Sequence, residues 1–229
     1  MSISDREERI DKYLLLRGTR PELFEFPDSE FYPLELSREK LIEYEDKTGE
    51  KLGIVFENKG FWTVVADLIK KGEHSFRYCR VIYESRESNG CVIIPCLENP
   101  DGQIFLGVLE NFRHSLRSFA YEFPRGFTNG NLYETVVTEF EEELGISSEC
   151  IKEIFPLGRI SPDSGLASGY ADAYAVRFSG ETPHGNIGHE GIKSVLWLSE
   201  NEFENKIGTE IRDSFTQSAY LMYKLHNKN

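Results

Sequence analysis

The order of apolar and polar residues predicts strands over much of the chain beyond residue 59. Segments 61–69, 76–84, 91–97, 103–110 and 119–123 are rich in Val, Ile, Phe and Tyr, which fit a pleated, half-buried surface. Turn sequences cut them, among them Ser88-Asn89-Gly90 and Asn99-Pro100-Asp101-Gly102. Further strands are expected near 152–161, 170–178 and 193–198. Two segments carry apolar residues at helical spacing instead. In 132–144, Tyr133, Val136, Val137, Phe140 and Leu144 recur at i, i+3, i+4, i+7 and i+11, with Gly145 as the stop. In 209–226, Ile211, Phe215, Ala219, Met222 and Leu225 form a second stripe. Strands surrounding a few helices predict a mixed α/β domain.

Residues 1–58 differ in texture. They are rich in charge and hold a proline-containing aromatic run at 21–33, PELFEFPDSEFYP. One helix is expected over 37–47, with Ser37 as N-cap and Gly49 near its end. This region reads as an N-terminal extension that packs on the main domain or on a partner subunit, and 59–229 as the main domain. There is no internal repeat and no low-complexity tract.

Composition narrows the class. The 229 residues are 39% hydrophobic and 13% aromatic, enough apolar material for a real core. The net charge of -13 argues against a nucleic-acid partner, which needs a basic face. An acidic protein still binds an anionic substrate if a divalent cation lies between them. The four cysteines include no C-x-x-C pair, and Cys91 and Cys96 flank an apolar run as buried thiols would. The N-terminal residues lack the apolar core of a signal peptide, and no stretch reaches the roughly 18 apolar residues of a membrane span. A reducing, cytoplasmic setting without a membrane is the expectation.

One helix is puzzling on its own. In YETVVTEFEEELGI (133–146), Glu139, Glu142 and Glu143 lie at i, i+3 and i+4 beside the apolar stripe. Like charges at that spacing oppose the helix by roughly 0.2–0.5 kcal/mol per pair. They also sit near its C-terminal end, where the helix dipole disfavours anions, and no Lys or Arg within it offsets them. A bound cation would relieve the repulsion, and magnesium takes one or two carboxylates plus substrate phosphates. A solvated acidic face is the plain alternative.

The flanking residues favour the cation. EFPRGF (122–127), the loop Thr128-Asn129-Gly130-Asn131 and EFEEELGI (139–146) resemble the box of the Nudix hydrolase superfamily, G-x5-E-x7-R-E-U-x-E-E-x-G-U. Gly126 matches its first glycine, and Glu139, Phe140, Glu142, Glu143, Gly145 and Ile146 match its second half. ENFRHSLRSFAYEFPRG (110–126), SPDSGL (161–166) and HEGIKSVLWLS (189–199) look like parts of the ADP-ribose pyrophosphatase branch, the second as its substrate loop. The box is degenerate: it is two residues short between Gly126 and the helix, and Thr138 stands where the family has arginine.

The resemblance covers roughly residues 60–225 and implies a Nudix-like α/β/α sandwich with a central mixed sheet. It implies magnesium, or manganese in its place, as cofactor, and a small-molecule nucleoside diphosphate derivative as substrate, with ADP-ribose or a nucleotide sugar leading. It also implies a homodimer, in which FWTVVADLI and FRYCRVIYE would serve as exchanged strands. On this reading Glu139 and Glu143 hold the metal most directly, and Glu142 adds a ligand or a hydrogen bond. The backbone carbonyl of Arg125 completes the site. Glu190 is the general base, with His189 beside it as a substitute. Arg113 grips a substrate phosphate, and Glu122 contacts substrate or metal. Phe112, Phe119 and Tyr121 are candidates to stack on a base. The degenerate box supports an alternative, a weak or inactive Nudix-like domain that binds or senses a nucleotide. A third reading is a structural domain that never meets a metal.

Overall fold

The computed structural model describes residues 5–24, 33–83, 90–128 and 130–228. Residues 25–32 of the aromatic run, the strand end at Glu84, Ser88 and Asn89 of the first turn, and Asn129 lie outside these. The chain forms two compact units, one of residues 1–86 with 163–169, the other of residues 87–162 with 170–229.

The first unit opens with helix α1 (Arg6–Thr19), whose Asp5 N-cap accepts the Glu8 N–H. Helix α2 (Arg38–Thr48) runs between the expected Ser37 cap and Gly49, which ends it in the left-handed conformation. Strands β1 (Gly53–Asn58), β2 (Trp62–Lys71) and β3 (His74–Tyr83) form an antiparallel sheet in that order. Its core joins Ile10 and Tyr13 to Leu41, Leu52, Val65 and Ala66. Two buried polar clusters brace it. Arg9 Nη2 donates to both oxygens of Glu45 at 2.7 and 2.9 Å. Asp67 accepts the Tyr13 hydroxyl at 2.5 Å and Arg80 Nε at 2.6 Å. Segment 163–169 lies along β3, where the Val81 N–H donates to Leu166 O and the Ser168 N–H to Val81 O. Most of the SPDSGL segment thus contributes backbone to the first unit's sheet edge.

The second unit is built on a seven-stranded mixed sheet. Its strands are β4 (Gly90–Glu98), β5 (Ile104–Arg113), β6 (Ser118–Glu122), β7 (Arg125–Phe127), β8 (Ile151–Ile160), β9 (Ala171–Ser179) and β10 (Ile192–Ser199). The main order is β10-β5-β4-β9-β8, with β6 on β5 and β7 on β4. Only the β4–β9 pair is parallel among these pairings. β4 is buried on both faces, and its alternation divides the core. Cys91, Ile93 and Leu97 face helix α3 (Leu132–Leu144), packing with Val136, Phe140 and Leu144. Val92, Ile94 and Cys96 pack with Phe203 of α4 (Glu200–Lys206) and with Ala219, Tyr220 and Tyr223 of α5 (Ser214–His226). The result is the expected α/β/α sandwich.

Several expectations change. The helix expected over 209–226 starts at Ser214, where Asp213 caps it by accepting the Thr216 N–H. Ile211 precedes the helix and is buried from a turn that bridges to Ile207. Leu225 and Tyr133 are exposed, so each stripe is one residue narrower than its spacing suggests. Among the described residues, no helix is long and apolar enough to cross a membrane. Cys91 and Cys96 are buried free thiols, and burial pushes both up to about 12.

Candidate functional site

Helix α3 is set by its ends and its stripe. Asn131 Oδ1 accepts the N–H groups of Tyr133 and Glu134, and Gly145 closes the helix at φ 68°. With Val136, Phe140 and Leu144 turned into the core, successive steps of about 100° fix the neighbouring glutamates. Glu143, next to Leu144, is 2% exposed; Glu139 is half-buried, and Glu142 is exposed. The three carboxylates therefore do not share one environment.

Strand β7 meets the helix on this flank. The Arg125 N–H donates to Glu143 Oε2 at 2.9 Å. The next residue, Gly126, lies so close to the Glu139 carboxylate that any side chain there would run into it. Gly126 also pairs with Cys91 of β4, so β7 cannot retreat without breaking the sheet. A side chain here would be accommodated only if the Glu139 carboxylate, the far end of a flexible side chain, moved aside.

Burial and mutual repulsion oppose ionisation within the cluster. Burial, then the neighbouring Glu139, pushes Glu143 up to about 8, against the opposing Arg125 N–H. Glu139 is raised by burial, then by Glu142 and Glu190, while His189 opposes. Among the described residues, no group of three or more His, Cys, Asp or Glu side chains is arranged to hold a metal ion by itself. Hard carboxylate oxygens on Glu139 and Glu143 nonetheless suit magnesium, which needs only one or two such ligands beside water and phosphate. Arg125 meets α3 through its backbone N–H. A cleft of about 450 Å³ opens beside the cluster, lined by Phe127, Glu134, Thr135, Thr138, Glu139 and Glu142.

A second cluster backs onto Glu143. Glu122, 1% exposed at the end of β6, takes Arg113 side-on, Nε at 3.0 Å and Nη2 at 2.5 Å. It also accepts from Arg125 Nη2 at 3.3 Å and from Asn111 Nδ2 at 3.1 Å. Arg125 reaches on to Asp213 at 3.2 Å and stacks over Phe215. Glu122 is thus enclosed by donors, and it holds two arginines whose outer faces remain partly exposed. Both Glu122 and Arg113 lie close enough to act on the charge of Glu143.

Glu190 is the third part. It sits in the tight segment His189–Gly191 before β10, with φ 44°, a left-handed value that costs a residue bearing a side chain. It lies near enough to Glu139 to raise it. The structure therefore brings Glu139, Glu142, Glu143, Glu190, Arg113, Glu122 and Arg125 into one region of the second unit. Of the aromatics, Phe112 and Phe119 pack edge to face at 5.6 Å, and Tyr121 lies against the core. The sequence reading missed Asn111 and Asp213. Asp213 carried a signal, an aspartate just ahead of a helical stripe; Asn111, inside a strand, carried none.

Comparison with known proteins bears on the fold. A crystal structure of an ADP compounds hydrolase is similar at 16% identity, with a TM-score of 0.57 over 76% of this chain and 90% of that one. The Nudix domain of Shewanella oneidensis NrtR, solved with ADP-ribose, is 14% identical, with a TM-score of 0.46 over 63% and 89% of the two chains. A C. elegans Ap4A hydrolase is 10% identical, with a TM-score of 0.43 over 61% and 96%. No family model and no curated protein matches the sequence. The chain shares the fold of the ADP compounds hydrolase, a mixed sheet between helices, which is the architecture expected from the sequence.

Proposed function

We propose that the second unit is a divalent-cation-dependent pyrophosphohydrolase that cleaves a nucleoside diphosphate linked to another group, with ADP-ribose as the lead substrate. The observation that carries this is the pairing of Glu139 and Glu143 against the Arg125-Gly126 backbone, with a two-arginine cluster directly behind. Among the described residues neither Glu139 nor Glu143 forms a salt bridge, and the Arg113 guanidinium, suited to phosphate oxygens, lies close enough to act on Glu143.

Glu139 and Glu143 would hold magnesium, or manganese in its place, with Glu142 at the cleft rim. Such an ion, when bound, supplies charge for the diphosphate oxygens and lowers the pKa of a water. The chain's own groups do the rest. Arg113 and Arg125, steadied by Glu122, neutralise a phosphate at their exposed faces. Glu190, on its strained turn, takes the proton of the attacking water. The Arg125 N–H fixes Glu143, so its second oxygen is left for the ion.

A second reading follows from Thr138. It stands on the cleft wall where the family box has arginine, and α3 holds no basic residue. On that reading the unit binds a nucleotide without turning it over. Incubation with ADP-ribose and a panel of nucleotide sugars, with and without magnesium, separates the two. Nucleoside monophosphate that forms only with the cation supports the hydrolase. Saturable nucleotide binding with no product supports the binding domain. Exchange of β2 and β3 between subunits of a homodimer remains part of the proposal, checked by sedimentation.

A further inference from the structure

Asn111 has no role in the proposal above, yet it is 1% exposed and lies between two parts of the site. On β5 it pairs with Ala120 of β6 on one side and Ile192 of β10 on the other. Its Nδ2 donates to the buried Glu122 at 3.1 Å. Its Oδ1 is buried and has no hydrogen-bond partner among the described residues. A buried acceptor left unpaired is costly, so its surroundings matter.

That oxygen lies against the turn that carries Glu190. A Cβ built on Gly191 would fall 3.0 Å from Asn111 Oδ1 and 3.1 Å from Phe112 O. Gly191 has φ 93° and Glu190 φ 44°, so two successive residues are left-handed here. The turn is tied at its base, where the Gly188 N–H donates to Ile192 O at 2.8 Å. A strained backbone persists only where its neighbours over-determine it. Asn111 and Phe112 of β5 form the wall behind this one.

We propose that Asn111 is a positioning residue, which sets the Glu190 turn relative to the Glu122–Arg113 pair through its two-sided amide. One end of the side chain donates to the Glu122 carboxylate, and the other packs its oxygen against Gly191 without a hydrogen bond, so it bears on the turn by close contact. A carboxylate here would set a second negative charge against Glu122, and a leucine would offer neither group. Its effect on turnover rests on the hydrolase reading, whereas its hold on the turn does not.

The test is amide hydrogen exchange over residues 186–192 in metal-free, substrate-free protein, comparing wild type with Asn111→Leu and the near-isosteric Asn111→Asp. Exchange in the turn should rise about tenfold in both while β4 stays protected. Tyr220→Phe, which removes a half-buried bond to Glu204 elsewhere in the unit, controls for general destabilisation and should leave the turn unchanged. In steady-state assay kcat should fall about tenfold, because the base is displaced, whatever change in KM follows from the loss of the Asn111–Glu122 bond. Wild-type exchange in the turn of either folded variant overturns the proposal, as does a rise in KM alone. A wild-type protein without turnover defeats the hydrolase reading and leaves the exchange result to decide this one.

Discussion

Glu143 Oε2 accepts the backbone N–H of Arg125 at 2.9 Å, which pins the buried carboxylate of α3 to the strand that carries Gly126. Helix and strand thus hold each other through a group that burial would rather keep neutral.

Glu143 has a pH signature in the absence of metal. Its folded value is raised to about 8, above an ordinary carboxylate. Between the ordinary value and about 8 the folded chain keeps a proton that the unfolded chain has released, so stability falls as pH rises through that window. Thermal melts in EDTA should show a declining Tm from acid to mildly alkaline pH. Glu143→Gln should flatten the decline, and added magnesium should oppose it in the wild type. A wild-type Tm that climbs across the window contradicts this.

Gly126→Ala should disturb site and sheet together. The methyl would meet the Glu139 carboxylate, and β7 is held by β4 through the Cys91 pair. A loss of about 1–3 kcal/mol in urea unfolding is expected, as for other overpacked sites. Cation affinity should fall with it. An alanine variant as stable as wild type would show that the Glu139 side chain swings aside at little cost.

Thr138→Arg should stabilise α3. Position 138 is exposed, and Glu134 and Glu142 lie one turn to either side with no basic residue in the helix. Two i,i+4 pairs are worth about 0.3–0.5 kcal/mol each, salt-dependent. The gain should be visible in chemical denaturation at low salt and fade at high salt. Equal stability at both would refute the repulsion argued for this helix.

Asp67 is the corresponding joint of the first unit. It is 1% exposed and accepts both the Tyr13 hydroxyl and Arg80 Nε. Asp67→Ala strands a buried hydroxyl and a largely buried guanidinium, and should cost about 3 kcal/mol. Urea unfolding monitored by limited proteolysis of the first 83 residues would measure it. A loss under about 0.5 kcal/mol would mean that the cluster holds little.

The sheet and α3 were legible because their signals are local. β4 is a continuous apolar run, and α3 has a five-member stripe closed by Gly145. What escaped depends on partners far along the chain. Helix α1 buries only Arg9, Ile10 and Tyr13, so charge hides its stripe. β7 is three residues long and is defined by its pairing with β4. The α5 start was misplaced because Ile211 continues the apolar period from a turn that is not helical. Within the site, the i, i+3, i+4 spacing placed three glutamates together, but only the core contacts of Phe140 and Leu144 decide that Glu143 is buried and Glu142 is not. Glu122 was legible as a polar residue near the box, and its enclosure by Arg113, Arg125 and Asn111 required the β5–β6 register.

The most direct measurement is the rate of AMP release from ADP-ribose as magnesium is titrated, in wild type, Glu139→Gln and Glu143→Gln. The account predicts no release in EDTA, a saturable rise with magnesium in the wild type, and a loss of about 100-fold or more in either variant. Release that is indifferent to magnesium, or that survives both substitutions, would contradict it.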